Sequence, residues 1–191
     1  MTINAGNTPP VATIAAPSPG LRWKVGDTIA FQGSASDEQD GTLPASRLSW
    51  SLTLQHCPSN CHTHAIQSWT GTAGTTFVTP DHDYPSFLEL KLTATDSGGL
   101  ADTQTLRLDP QTVAVTMRSS PTGLSLTLGA TTAATPFTRT LIRGGTTTIA
   151  APSPQTLGPT TYTFGSWSDG GARSHTVTLD ADTTFTASFA P

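Results

Sequence analysis

The chain alternates apolar and polar side chains without interruption through Leu48-Ser49-Trp50-Ser51-Leu52-Thr53-Leu54-Gln55-His56. Successive side chains of a β-strand point to opposite faces of the sheet, so a period of two predicts a strand with one buried face. Trp50, Leu52 and Leu54 share the apolar face, and His56 lies at its end. This stretch is therefore predicted to be a core strand.

Alternating runs bounded by Gly, Pro, Asn and Asp recur along the whole chain. We predict strands at residues 11–15, 28–34, 48–56, 62–70, 75–79, 87–96, 103–108, 113–118, 124–128, 137–142, 146–150, 162–167, 175–179 and 183–189. Many short strands separated by turns are typical of a sandwich or barrel. We therefore predict an all-β chain of two tandem small β-sandwich domains. Pro110 interrupts the alternation, which places the boundary between residues 1–110 and 111–191.

Composition narrows the classes of partner. Charged residues make up 12% of the chain and the net charge is −4, whereas globular domains carry about 25% charged residues. No basic run is present, which argues against nucleic-acid binding, and no apolar stretch approaches the roughly 20 residues of a membrane span. The Thr/Ser-rich composition suits a secreted protein. We interpret Met1 as an added start on a fragment, with an intact cytosolic protein as the alternative.

A set of motifs in the first half carries a family resemblance. They are Asn7-Thr8-Pro9-Pro10-Val11-Ala12, Val25-Gly26-Asp27-Thr28-Ile29, Phe31-Gln32-Gly33-Ser34-Ala35-Ser36-Asp37, Asp40-Gly41-Thr42, and the run from Leu90 to Asp102. Together they resemble the PKD domain, an Ig-like sandwich common in bacterial extracellular enzymes, over residues 7–109. The resemblance implies an Ig-like first domain in a secreted bacterial protein.

The resemblance departs from the family in its middle. Trp50 matches the family's central Trp, but a His/Cys loop replaces the Gly-Asp-Gly turn that normally follows. The variant with such a loop resembles domains found behind secreted sugar dehydrogenases of the glucose/sorbosone type and behind glycoside hydrolases. This likeness implies that a catalytic domain belongs to the same parent chain.

The second half is similar to short β-repeats at the C-termini of bacterial surface and secreted enzymes, related to PEGA-like and internalin B-repeat modules. The phrase Trp167-Ser168-Asp169-Gly170-Gly171 is the most specific part of this likeness. It predicts a strand end followed by a tight turn in which a glycine adopts positive φ. We expect Trp167 to anchor the core, with a ligand-binding platform as the alternative.

Carboxylates of the first half form a candidate calcium site. Asp37, Asp40 and Asp96 offer hard oxygen ligands on loops, the type Ca²⁺ prefers. PKD-like domains often hold a cation at this end, near the Asn that Asn7 matches. The alternative is that Asp37 and Asp40 cap turns, which Asx side chains favour.

The densest chemistry lies in His56-Cys57-Pro58-Ser59-Asn60-Cys61-His62-Thr63-His64. If Cys57 and Cys61 close a hairpin, His56 faces His62 across it and His64 lies on the same face. Cross-strand neighbours lie about 5 Å apart at Cβ, close enough for the imidazoles to converge on one ion. His82, beside Asp81 and Asp83, is a possible fourth ligand. Imidazole suits Zn or Cu, so we predict a transition-metal site, with a hydrogen-bonded polar cluster as the alternative.

The cysteines allow two interpretations. A disulfide between Cys57 and Cys61 would pin the hairpin, while two thiolates would act as metal ligands beside the histidines. The spacing is not that of Cys-x-x-Cys zinc sites, and a secreted protein favours the disulfide.

These observations predict a non-catalytic accessory module of a larger secreted enzyme, since the chain shows no catalytic constellation. The module would bind carbohydrate or a cell-surface glycan, or act as a spacer, and a monomer is expected. Trp69, on the outward phase of its strand, and Trp23 and Tyr84, in loops, are the candidate sugar-stacking residues. For Trp23 and Tyr84 the alternative is that they cover the ends of the core. The alternative function is a metal-binding β-domain.

Overall fold

The structure, a computed structural model, describes residues 6–57 and 59–191. Met1, whose role was interpreted above, lies outside the described residues. The contacts of the chain divide it into two compact units, residues 1–110 and 111–191. Apart from one 3₁₀ turn at Ala45–Arg47, the regular structure of the described residues is β-strand, which confirms the all-β class. No described segment forms a helix long and apolar enough to cross a membrane.

The first unit contains two sheets. Its strands are β1 (Val11–Ala16), β2 (Arg22–Trp23), β3 (Thr28–Asp37), β4 (Gly41–Thr42), β5 (Leu48–His56), β6 (His62–Thr70), β7 (Gly74–Val78), β8 (Ser86–Thr95) and β9 (Ala101–Pro110). One sheet has the order β2-β9-β8-β5-β6, and in the other β3 pairs with β1, β4 and β7. Strands β3, β5 and β8 bury every second residue, so their apolar faces form the core of a sandwich-like arrangement.

Gly33 of β3 lies where the core leaves no room for a side chain. A Cβ built at Gly33 would stand 2.7 Å from Leu92 Cδ2, 2.9 Å from Trp50 Cη2 and 2.7 Å from the backbone oxygen of Thr13. Leu92 and Trp50 belong to the sheet that faces β3. The close approach of the two sheets therefore depends on the absence of a Cβ at this position.

A β-bulge changes which face of β6 is buried. Thr53 pairs with Ala65, but Leu52 pairs with Gln67, which leaves Ile66 without a counterpart. An extra residue reverses the alternation beyond it, because side chains alternate with a period of two. Trp69 consequently lies opposite Trp50.

The prediction that Trp69 points outward is therefore wrong. Its ring lies 4.7 Å from that of Phe31 and 6.4 Å from that of Phe77, between ring centroids, and the residue is half-buried. Trp23 is also not exposed. It is 0% accessible, and its Nε1 donates to the Leu108 backbone oxygen at 2.9 Å. The alternative that Trp23 covers the core is confirmed.

The second unit also contains two sheets. Its strands are β10 (Thr112–Ser120), β11 (Ser125–Leu128), β12 (Thr131–Ala134), β13 (Phe137–Ile142), β14 (Thr146–Ala150), β15 (Gln155–Leu157), β16 (Thr160–Trp167), β17 (Ser174–Thr178) and β18 (Thr183–Ala190). Their orders are β13-β10-β18-β16-β15 and β12-β11-β14-β17. The core includes Met117, Leu126 and Ile149, and Trp167 is 3% exposed. Trp167 is therefore a core anchor, as expected.

The turn after Trp167 is held by the hydrogen bonds of His175. Gly170 adopts a φ of 77°. His175 Nε2 lies 2.9 Å from Asp169 Oδ2, and His175 Nδ1 lies 2.6 Å from the Ala172 backbone oxygen. Both ring nitrogens therefore face acceptors, an arrangement that only the imidazolium satisfies fully. The hydrogen bond to Asp169 raises the pKa of His175.

The pKa of Asp169 moves the other way. Burial opposes ionisation of its carboxyl, but hydrogen bonds from His175 and from the Gly171 N–H outweigh it and lower the pKa. A raised histidine pKa stabilises the fold below the ordinary histidine value, near 6.5, and this contribution disappears as pH rises through the folded-state pKa.

We therefore expect the second unit to lose stability as pH is raised from 6 to above the folded-state pKa of His175. His175→Gln removes the titrating imidazole that pairs with Asp169. The variant should therefore flatten this part of the pH profile of stability while leaving the fold intact. Urea unfolding, followed on NMR resonances of β16 and β17 at a series of pH values, measures the effect. The explanation fails if the variant keeps the same pH dependence as the unaltered chain.

Replacing Gly33 tests the close approach of the two sheets of the first unit. Gly33→Ala should destabilise the first unit by about 1–3 kcal/mol, the usual effect of overpacking a core. Denaturant unfolding measures this change. Ser34→Ala is the matched control, since Ser34 is the next residue and its side chain is exposed. Equal stability of the two variants would contradict the proposed role of Gly33.

Candidate metal centre

The hairpin of β5 and β6 brings three histidines to one face. A disulfide joins Cys57 and Cys61, which confirms the predicted bond and leaves the thiolate interpretation without free cysteines. His56 pairs directly with His62, and Leu54 pairs with His64. Paired residues share a face of the sheet, so the three imidazoles lie on the side where Leu54 is fully buried. Pro58, inside the disulfide loop, lies outside the described residues.

A fourth imidazole closes the group into a ring. His82 is placed by the segment between β7 and β8, and its ring centroid lies 4.7 Å from that of His56 and 5.0 Å from that of His64. The His56 and His62 centroids are 5.0 Å apart, and the His62 and His64 centroids are 4.8 Å apart. We call these four residues the histidine ring.

The spacing of the histidine ring suits a single ion at its centre. With nitrogen ligands at about 2.0–2.1 Å and ring centroids about 3.2 Å from the ion, neighbouring centroids lie roughly 4.5 Å apart in a square and 5.2 Å apart in a tetrahedron. The four observed distances, 4.7–5.0 Å, fall between these limits. One ligand atom from each of His56, His62 and His64 lies within 4.8 Å of the others.

Burial and charge favour the ligand form of His56. It is half-buried, whereas His62 and His64 are exposed. Burial lowers the pKa of His56, and the neighbouring rings of His82 and His62 lower it further, against the opposing charge of Asp83. A lower pKa favours the neutral imidazole, which is the form that binds metals.

His82 has a contact of the kind that supports a metal ligand. Its Nδ1 lies 3.2 Å from the backbone oxygen of Asp83. A histidine ligand usually donates its second ring N–H to a carbonyl or carboxylate, which fixes the tautomer. A proton on Nδ1 leaves Nε2 of His82 as the nitrogen whose lone pair is available to bind an ion.

The predicted calcium residues lie close together but are largely occupied by hydrogen bonds. Asp37 Oδ1 accepts from the backbone N–H groups of Gln39 and Asp40, at 2.8 and 2.7 Å. Asp96 accepts from Asn7 Nδ2 and the Leu100 N–H, both at 2.8 Å. The Ser97 N–H and hydroxyl both donate to Asp40, which lowers the pKa of that carboxyl.

These contacts are those expected when the carboxylates hold turns and loops. One acceptor remains, since Asp37 Oδ2 is buried and has no hydrogen-bond partner among the described residues. Within the part of the chain that the structure describes, His56, His62 and His64 are the group of three whose ligand atoms converge. Calcium binding by Asn7, Asp37, Asp40 and Asp96 stays a prediction.

Tyr84 is exposed, unlike Trp23, which is buried, and Trp69, which is half-buried. It is 37% exposed and lines a cavity of about 360 Å³ together with the disulfide, Phe87 and Arg107. The Arg107 guanidinium stacks over the Phe87 ring at 3.7 Å. The three aromatic residues proposed for sugar binding do not form an exposed row, because Trp23 is buried and Trp69 packs against Phe31.

No family model matches the chain, and no curated protein matches it. A solved structure, the sporulation control protein Spo0M from Bacillus subtilis, is similar over 55% of this chain with 12% identity and a TM-score of 0.35. The similarity spans 49% of that protein. The resemblance to PKD domains stays a prediction.

Removing the disulfide should loosen the histidine ring. In Cys57→Ser/Cys61→Ser the free energy of unfolding should fall by about 2 kcal/mol, because a short loop is no longer closed in the unfolded state. Affinity for Zn²⁺ should also fall, since ordering the hairpin then opposes binding. Calorimetric titration of both proteins measures the affinity. Unchanged affinity would show that the β5–β6 pairing alone positions the rings.

Proposed function

We propose that this chain binds a divalent transition-metal ion at the histidine ring. The carrying observation is the convergence of ligand atoms from His56, His62 and His64 within 4.8 Å of one another. His82 supports the proposal, because its ring stands next to those of His56 and His64 at distances that suit a shared ion. The four residues come from two strands and a connecting segment, so a bound ion would link all three.

The donor set favours Zn²⁺ or Cu²⁺ over Ca²⁺. Imidazole nitrogen suits Zn, Cu and Ni, whereas Ca²⁺ and Mg²⁺ take oxygen ligands. Four neutral ligands leave the charge of the ion uncompensated. The carboxylate of Asp83 offers a partial counter-charge, since its effect on His56 is to favour the positive form. Of divalent ions at such a site, Cu²⁺ is expected to bind most tightly.

We propose binding rather than catalysis as the role of the ion. A site with three protein ligands and an open position is the usual arrangement of catalytic zinc, while four ligands close the coordination sphere. His82 would supply the fourth ligand, because its ring centroid lies 4.7 Å from that of His56 and 5.0 Å from that of His64, while the ligand atoms that already converge are those of His56, His62 and His64. A closed site would join the β5–β6 hairpin to the segment before β8 and so stabilise this end of the first unit.

The proposed role of the chain within a larger protein rests on its two all-β units and its disulfide. A tandem of two all-β units with a disulfide is consistent with an extracellular accessory module of a larger bacterial enzyme, acting as a spacer or binding a glycan. Of the three residues predicted to stack on sugars, Trp23 is buried and Trp69 packs against Phe31. Tyr84 and the cavity beside it are the observations that still support sugar binding.

Metal analysis of the purified, tag-free protein tests the proposed function. After equilibration with Zn²⁺ or Cu²⁺ and removal of free ion, the chain should retain about one ion, as a single four-coordinate site requires. His62→Ala and His64→Ala should lose it, because each removes an exposed ligand without opening the core.

His175→Ala is the matched control for this measurement. His175 is also a histidine, but it belongs to the second unit and is paired with Asp169. The His175→Ala variant should therefore retain the ion. Absence of bound metal in the unaltered protein, or equal retention in the His62 and His64 variants, would contradict the proposal.

A further inference from the structure

A buried hydroxyl on the strand beside β5 has no hydrogen-bond partner in the part of the chain that the structure describes. Ser86, the first residue of β8, is 4% exposed, and its Oγ has no hydrogen-bond partner among residues 6–57 and 59–191. A buried polar group without a partner destabilises the folded protein, because it has lost its hydrogen bonds to water and gained none in return. Such groups are uncommon in folded proteins and call for an explanation.

The strand register places this hydroxyl beside His56. Ser86 pairs directly with His56 in the antiparallel ladder of β5 and β8. Directly opposed residues share a face of the sheet, with Cβ atoms about 4.5–5.5 Å apart. The Ser86 and His56 side chains therefore start from adjacent positions on the face that carries the histidine ring, with no hydrogen bond between them in this structure.

Among the described residues, His56 has no hydrogen-bond partner of the kind that His82 has. The Nδ1 of His82 meets a backbone oxygen, which fixes its tautomer. His56 is the most buried of the three converging histidines, so water is the least able to serve its second ring nitrogen. A metal-bound imidazole keeps one N–H, and this proton needs an acceptor.

We infer that Ser86 is the positioning residue of His56. Its Oγ accepts the N–H of the ring nitrogen that does not bind the ion, and thereby sets the tautomer and the ring orientation of His56. The inference rests on the proposed function, because the contact is completed when the metal is bound. It also explains why a hydroxyl is kept in an otherwise apolar alternation of β8.

Ser86→Ala should weaken the metal-bound state without destabilising the metal-free protein. Without metal, removing an unpaired buried hydroxyl should leave the thermal midpoint unchanged or raise it. With metal, the affinity for Zn²⁺ should fall 10–100-fold, the usual effect of losing the partner of a metal-bound histidine. A merely structural residue would lower the midpoint of the metal-free protein instead.

The experiment is calorimetric titration of Zn²⁺ into the full chain, with thermal unfolding of the metal-free proteins. Ser86→Thr retains a hydroxyl and should recover the affinity lost in Ser86→Ala. Ser51→Ala is the matched control, because Ser51 lies on β5 and faces the other side of the sheet; its affinity should equal that of the unaltered chain.

Each outcome decides one point. Unchanged affinity of Ser86→Ala overturns the role of Ser86 and leaves the proposed function standing. Equal losses in Ser86→Ala and Ser51→Ala overturn it as well, because the effect is then not specific to the position beside His56. If the unaltered chain binds neither Zn²⁺ nor Cu²⁺, the proposed function and this inference fail together.

Discussion

The ladder of β5 with its two neighbours is the constraint on which the candidate site depends. β5 pairs with β8 on one side through nine residues and with β6 on the other through eight, and both ladders end at His56. The buried face of this ladder, Leu48 to Leu54, anchors the register through apolar burial. Because a slip of one residue would turn every side chain to the opposite face, the core fixes the positions of His56, His62 and Ser86.

Because of its bulge, β6 contributes to the core at one end and to the histidine ring at the other. Below it, Trp69 packs against Phe31 as part of the core. Above it, His62 and His64 lie on the same face as Leu54 but are exposed. Ile66, the extra residue, takes up the change of phase at the exposed edge of the sheet, where an unpaired position disrupts few contacts. Apolar packing at one end of the hairpin and a polar cluster at the other are thereby compatible.

Local patterns predicted some of these features well. The strands Leu48–His56, His62–Thr70, Phe137–Ile142 and Thr146–Ala150 have the bounds expected from alternation. The short strands β2, β4, β12 and β15, of two to four residues, carry too few positions to show a period and were not predicted. The pairing of His56 with His62 followed from hairpin closure, since two cysteines four residues apart leave few registers.

Other features depended on contacts distant in sequence. The outward phase assigned to Trp69 was wrong because a bulge, which reverses the phase, leaves no mark in a pattern of period two. The sequence left open whether Trp23 is exposed or covers the end of the core, and the structure decides for burial because its indole N–H donates to the Leu108 backbone oxygen, far along the chain. The sequence pattern did not predict that Ser86 pairs with His56, because no local feature of the sequence relates β5 to β8.

Period-two alternation, turn residues and the spacing of His and Cys were sufficient to establish an all-β chain, the hairpin with its disulfide, and three histidines on one face. These features are local, because strand geometry and a short loop determine them without reference to the rest of the fold. The tertiary structure was needed to bring His82 beside His56, to bury Trp23 and Trp69, and to occupy the acidic side chains with hydrogen bonds. Those outcomes depend on which strands pair and how the sheets pack, and burial of apolar surface across the whole unit decides both.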